Sequence, residues 1–155
     1  MRRESIVELI QELPGISYNE IIRKTNLSNG VVSHYLIKLM DDDVIEKEGI
    51  KRGKYFIKKI PKKDRVIITA LRNKTNNEIF KILMQKPDEN MLTSKEISKK
   101  IQKSGSTISV SLKNLQKNHI VERIIMNKTA KLTNDLGYKI FNKKFWTSFC
   151  VKYNL

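Results

Sequence analysis

The stretch ISYNEIIRKTNLSNGVVSHYLIKLMDDDVIE, residues 16–46, recurs without a gap as LTSKEISKKIQKSGSTISVSLKNLQKNHIVE, residues 92–122. The offset is 76 positions, and eight residues are identical: Glu20/Glu96, Ile21/Ile97, Lys24/Lys100, Ser28/Ser104, Ser33/Ser109, Leu36/Leu112, Leu39/Leu115 and Glu46/Glu122. Elsewhere apolar residues face apolar residues at nearly every core position. A conserved period of this length marks a duplicated supersecondary unit. Each copy reads as helix, turn, helix. Ser17-x-x-Glu20 and Thr93-x-x-Glu96 are capping boxes, in which the hydroxyl takes an orphan backbone N–H and the Glu returns to the cap. Each first helix ends near Thr25 or Ile101. Ser28 and Ser104 then offer a second N-cap, and Val32, Leu36 and Leu39, matched by Ile108, Leu112 and Leu115, form the apolar face of a longer helix.

The flanks repeat as well. Ile45–Ile50 and Lys54–Ile57 read as strands around a Lys51-Arg52-Gly53 hairpin tip, and Val121–Met126 and Ala130–Leu132 as strands around Asn127-Lys128-Thr129. A helix precedes each pair. Ile6, Leu9, Ile10 and Leu13 align with Ile79, Ile82, Leu83 and Lys86, now at an offset of 73, and each run closes on a proline, Pro14 or Pro87. Helix, helix-turn-helix, hairpin is the order of a winged helix-turn-helix. The expected fold is therefore mainly α with small β wings, in two tandem modules. The boundaries are 1–60 for the first, 61–76 for a helical linker, 77–142 for the second and 143–155 for a C-terminal amphipathic tail.

LSNGVVSHYLIKLMDDDVIEK and KSGSTISVSLKNLQKNHIVER resemble the recognition-helix stretch of prokaryotic winged-helix regulators of the MarR and ArsR kind. AKLTNDLGYKIF resembles their wing exit, where a Leu-Thr pair leads into a Gly-containing helix start. The chain as a whole is similar to archaeal-type proteins with two tandem winged helices, over roughly residues 3–142. This resemblance implies a DNA-binding transcriptional regulator. The same fold also serves as a protein-interaction module of the condensin-associated or RNA polymerase accessory type, or as a non-specific architectural DNA-binding protein.

Charge is consistent with a polyanion partner. The net charge is +15, with 31 Lys and Arg against 16 Asp and Glu. Residues 1–60 hold 11 basic and 9 acidic residues, and residues 61–155 hold 20 and 7, so the excess sits in the linker and the second module. Of the basic residues 24 are Lys, as an AT-rich genome alone would also favour.

In a helix-turn-helix the second helix enters the major groove by its N-terminal part. The outward positions of the first copy are Asn29, Gly30, Val31, Ser33, His34 and Lys38; those of the second are Ser106, Thr107, Ser109, Val110, Lys113 and Asn114. Asn29 and Asn114 suit a base edge, and the hydroxyls suit bases or phosphates. Neither helix carries an Arg to fork onto guanine, which implies modest base specificity or readout of shape and methyl groups. Lys51, Arg52 and Lys54 at the first wing tip, and Lys128 and Lys131 at the second, are candidate contacts to phosphate or the minor groove. Asp41-Asp42-Asp43 follows the first recognition helix, has no counterpart in Lys117-Asn118-His119, and reads as a solvated turn.

Between the modules, Val66, Ile67, Ala70 and Leu71 have helical spacing, and Thr75-x-x-Glu78 is a third capping box that would open the next helix. In the tail, Phe141, Phe145, Trp146, Phe149 and Tyr153 recur at helical spacing. That helix either completes the second module's core or offers a surface to a second copy or a protein partner.

Enzyme chemistry has little support. His34 and His119 occupy non-equivalent positions without ligand-spaced neighbours. No phosphate loop or nucleophile motif appears, and Cys150 sits among aromatic residues. No catalytic residue, metal or cofactor is expected. With one cysteine, no run of 18 apolar residues and a start that reads as a helix, the expectation is a cytoplasmic, nucleoid-associated protein whose partner is double-stranded DNA and not a membrane.

Overall fold

The computed structural model describes residues 2–87, 90–125 and 136–155. Among these the chain forms eight helices and six strands in two compact units, residues 1–69 with 152–155, and residues 70–151.

The first unit runs α1 (Arg2–Glu12), β1 (Ile16–Ser17), α2 (Tyr18–Thr25), α3 (Asn29–Asp41), β2 (Ile45–Glu48) and β3 (Lys54–Ile57). Helix α4 (Lys62–Arg72) follows and contains the boundary between the units. Its sheet has the order β1-β3-β2, all antiparallel, with Ile16 opposite Tyr55 and Ile45 opposite Ile57. The second unit repeats this order: α5 (Lys74–Gln85), β4 (Leu92–Thr93), α6 (Ser94–Ile101), α7 (Gly105–Lys117), β5 (Val121–Ile125), β6 (Leu136–Ile140) and α8 (Lys143–Tyr153). Its sheet order is β4-β6-β5, with Leu92 opposite Tyr138 and Val121 opposite Ile140. Both units are winged helix-turn-helices.

The cores explain why a repeat of low identity keeps one fold. Ile6, Ile10, Ile16, Ile21, Val32, Leu36, Leu39 and Ile45 are buried in the first unit. Their counterparts Ile79, Leu83, Leu92, Ile97, Ile108, Leu112, Leu115 and Val121 are buried too. Each pair keeps an apolar side chain of similar volume, the change that packed cores tolerate best. The backbone repeats as well. Asn26 and Gln102 end α2 and α6 in the left-handed region, with φ of 55° and 59°. Asp43 and His119 enter the wings at φ of 62° and 56°.

Both capping boxes form. The Glu20 carboxylate accepts from the Ser17 backbone N–H at 2.8 Å, and that of Glu96 from Thr93 at 2.9 Å. Return bonds run from each Glu N–H to the cap hydroxyl. Thr93→Ala should therefore cost about 0.5–2 kcal/mol of stability, read as a lower urea midpoint with an unchanged m value. An unaltered midpoint would mean that water replaces this cap at no cost.

Other expectations need correction. Ser104 caps α7 through its side chain, but Ser28 makes no side-chain cap bond to α3. Helix α5 begins at Lys74 and not at a Thr75 cap, because Asn73 caps it by accepting from Asn76 N at 3.1 Å. The Thr75 hydroxyl instead accepts from Lys103 Nζ at 2.8 Å. In the first wing β2 ends at Glu48, two residues short of Ile50, where Gly49 turns the chain at φ 90°. In the second, the expected strand Ala130–Leu132 lies outside the described residues. All of Val121–Ile125 pairs with β6, so the returning strand is Leu136–Ile140. Gly137 lies in this strand, not at a helix start, because it is paired on both sides, opposite Thr93 of β4 and Ile124 of β5.

The tail is helical over Lys143–Tyr153, with Trp146, Phe149 and Tyr153 buried. Its last residues group with the first unit rather than the second. The Tyr153 hydroxyl donates to the Asp64 carboxylate, and Asn154 Nδ2 donates to Glu12 O at 3.1 Å. Burial, then the hydrogen bond to Asp64 and its charge, push the Tyr153 phenol up to about 12. The fold favours the neutral phenol, so this contribution is complete below the ordinary value of 10.0 and is lost as pH rises towards 12. In an alkaline titration followed by phenolate absorbance, Tyr153→Phe should remove the latest-ionising fraction. Loss of an early-ionising fraction instead would show that the Asp64 contact does not hold in solution.

Candidate nucleic-acid interface

The outward faces of α3 and α7 differ more than their sequences suggest. On α7, Ser106, Thr107, Ser109, Val110, Lys113 and Asn114 are all exposed, whereas Ile108, Ser111, Leu112 and Leu115 are buried. The Ser104 hydroxyl reaches the hydroxyls of Ser106 at 3.1 Å and Thr107 at 2.8 Å, so the first turn presents a connected row of hydroxyls. Asn114 is less free. Its Oδ1 accepts from Asn76 Nδ2 at 3.1 Å, and the buried Asn76 also donates to Ala70 O. The carboxamide oxygen is thus already engaged within the unit.

On α3, Asn29, His34 and Lys38 are exposed, but Val31 and Ser33 are half-buried. The Tyr18 hydroxyl donates to Asn29 O at 2.9 Å and shares a 2.8 Å hydrogen bond with Ser33 Oγ. Tyr18, the first residue of α2, thereby clamps the start of α3. Its counterpart on α6 is Ser94, too short to reach across, and Ser109 is exposed where Ser33 is engaged. Sequence reading missed Tyr18 because a tyrosine next to a capping serine resembles any half-buried helix residue.

The acidic turn is exposed, as expected of solvated residues. Asp42 pairs with Arg3 at 3.0 Å, and Asp43 pairs with Lys58. Such exposed pairs contribute little to stability, but they mask negative charge at the end of α3.

The first wing places Lys51 and Arg52 at an exposed tip, with Lys54 half-buried in β3 opposite Glu48. Arg65 on α4 organises its base. The residue is 3% exposed, and its guanidinium lies 5.7 Å from the Phe56 ring centroid. It donates to both wing carboxylates, Glu46 and Glu48, and to the carbonyls of Lys58 and Ile60 at 3.0 and 2.9 Å. The hydrogen bond from Arg65 holds the Glu46 carboxyl below its usual range, against an opposing effect of desolvation. Both acids of β2 are thus neutralised at the wing's root, while Lys51 and Arg52 remain exposed at the tip. At the fourth position of α8, where α4 has Arg65, stands the buried Trp146. Lys128 and Lys131 of the second wing lie outside the described residues.

Comparison with known proteins bears on the first unit. Residues 1–68 match the family model HTH_HVO_0163_N, described as an N-terminal HTH domain. That match spans residues 1–68 of the first unit, which is helix-turn-helix by sequence as well as by fold. No curated protein matches the chain significantly. Among solved structures, reduced HlyU from Vibrio cholerae N16961 is similar at a TM-score of 0.45 and 21% identity, over 59% of this chain and 86% of that one. Among the described residues no helix is long and apolar enough to cross a membrane.

Proposed function

We propose that this chain is a DNA-binding transcriptional regulator, a tandem winged helix-turn-helix of the MarR and ArsR kind acting at the nucleoid. It meets duplex DNA through α3, α7 and its basic wings. The observation that carries this reading is the α7 face. Six outward positions, Ser106, Thr107, Ser109, Val110, Lys113 and Asn114, combine hydroxyls, an amide, a methyl-bearing Val110 and a Lys, with no acid among them. Hydroxyls and the amide suit base edges and phosphates, Val110 suits a thymine methyl, and Lys113 suits the backbone. The basic balance of residues 61–155 adds the sequence-independent attraction that steers such a helix onto DNA. The second unit is the stronger reader, because Tyr18 engages Ser33 in the first and Asp41–Asp43 close its recognition helix.

A specific feature favours a second partner besides DNA. Phe141 and Phe145 are 53% and 52% exposed around the start of α8, and they suit a second copy of the chain or a protein partner.

The experiment is binding to labelled duplex from the gene's own upstream region against a scrambled duplex, near physiological salt. Tighter binding to the upstream region by about tenfold, about 1.4 kcal/mol, supports a sequence-specific regulator. Equal binding favours an architectural role, and absence of binding favours a protein-interaction module.

A further inference from the structure

The first wing tip carries an apolar side chain where only charge would be expected. Ile50 is 94% exposed, the most exposed large hydrophobic residue among those described. Exposed single apolar residues are common, but this one has a prepared setting. Gly49 turns the chain at φ 90°, a conformation that other residues rarely adopt. The aliphatic stem of Lys47 fills the space that a Cβ at Gly53 would take, so the tip closes tightly. Lys51 and Arg52 follow Ile50 directly and are exposed. Both acids of the same hairpin, Glu46 and Glu48, are paired with Arg65. Ile50 is therefore an apolar tip on a cationic, narrow, braced projection.

A second copy or an apolar protein groove would need a broader patch than one isoleucine. The surrounding positive charge points to a polyanion, and the DNA minor groove is the polyanion surface into which single apolar side chains are inserted. We propose that Ile50 is a wedge, driven by the wing into the minor groove and packed against a partly unstacked base step, so that the protein bends its duplex. This rests on the DNA-binding reading. Lys51 and Arg52 would hold the flanking phosphates while Ile50 enters, and flexible pyrimidine–purine steps would accept it at least cost.

The test uses the full chain and a short duplex with one central TA step, labelled at both ends for energy transfer. Wild-type binding should raise transfer. Ile50→Ser should lower affinity by about tenfold and abolish the rise, with the salt dependence of binding unchanged because no charge is lost. Ile50→Leu should retain both. The double variant Lys51→Ala/Arg52→Ala should instead make the salt dependence shallower. If Ile50→Ser binds and bends the duplex as wild type does, the wedge is wrong and the DNA-binding reading stands. If wild type binds no duplex, both are overturned.

Discussion

Arg65→Ala should lower the unfolding free energy by about 3 kcal/mol. Removing one member of a buried ion pair typically costs about 3–5 kcal/mol, because the remaining charge loses its partner. The lower end applies because Glu46 and Glu48 keep side-chain exposures of 34% and 45% and can recover water. The carbonyls of Lys58 and Ile60 lose donors at the same time, which adds to the cost. Arg65→Lys should recover only part of the loss, since a single ammonium cannot span four acceptors in fixed directions. Urea titration of the three proteins checks this, and a loss below about 1 kcal/mol would place the site among surface pairs of little weight.

The same variant has a pH signature. Arg65 lowers the Glu46 carboxyl in the folded state, so the pair adds stability above the ordinary carboxylate range. That contribution is lost as pH falls through the lowered value. Arg65→Ala should accordingly lose less stability than wild type between neutral and acid pH. It should also weaken duplex binding, because two carboxylates are released beneath the wing.

Charge reversal on the recognition helices should separate the two units. Lys113→Glu removes an exposed cation from the α7 face and replaces it with repulsion. A duplex should then bind more weakly by roughly 1–3 kcal/mol, with a shallower salt dependence. Lys38→Glu on α3 should have the smaller effect, because that face already ends in Asp41–Asp43 and its Ser33 is engaged by Tyr18. Anisotropy titrations at several salt concentrations distinguish the two. Equal losses would show that both units read DNA alike.

Much of this architecture was legible because core and cap obey local rules. Ile21 and Ile97, or Leu36 and Leu112, announce a shared helical face by spacing alone, and Ser17-x-x-Glu20 announces its cap. What stayed hidden depends on residues far apart in sequence. Glu46 and Glu122 are identical in the repeat, yet nothing local reveals that the first meets Arg65 from the next helix. The late return strand Leu136–Ile140 was missed because Leu-Thr in the preceding stretch suggested an early wing exit. Its register shows only in the pairing with both neighbours, where Tyr138 faces Leu92 and Arg123. On the candidate interface, the outward positions of α7 followed from periodicity. Tyr18 on Ser33 and Asn76 on Asn114 did not, because side-chain hydrogen bonds between helices leave no periodic trace.

The most direct measurement is a titration of the isotopically labelled full chain with a duplex, followed by backbone amide chemical shifts. Shifts concentrated in residues 105–114 and 50–54, with smaller ones in residues 29–38, are the expected result. Shifts confined to α1 or α8, or no shifts at any duplex concentration, would contradict a recognition role for α7.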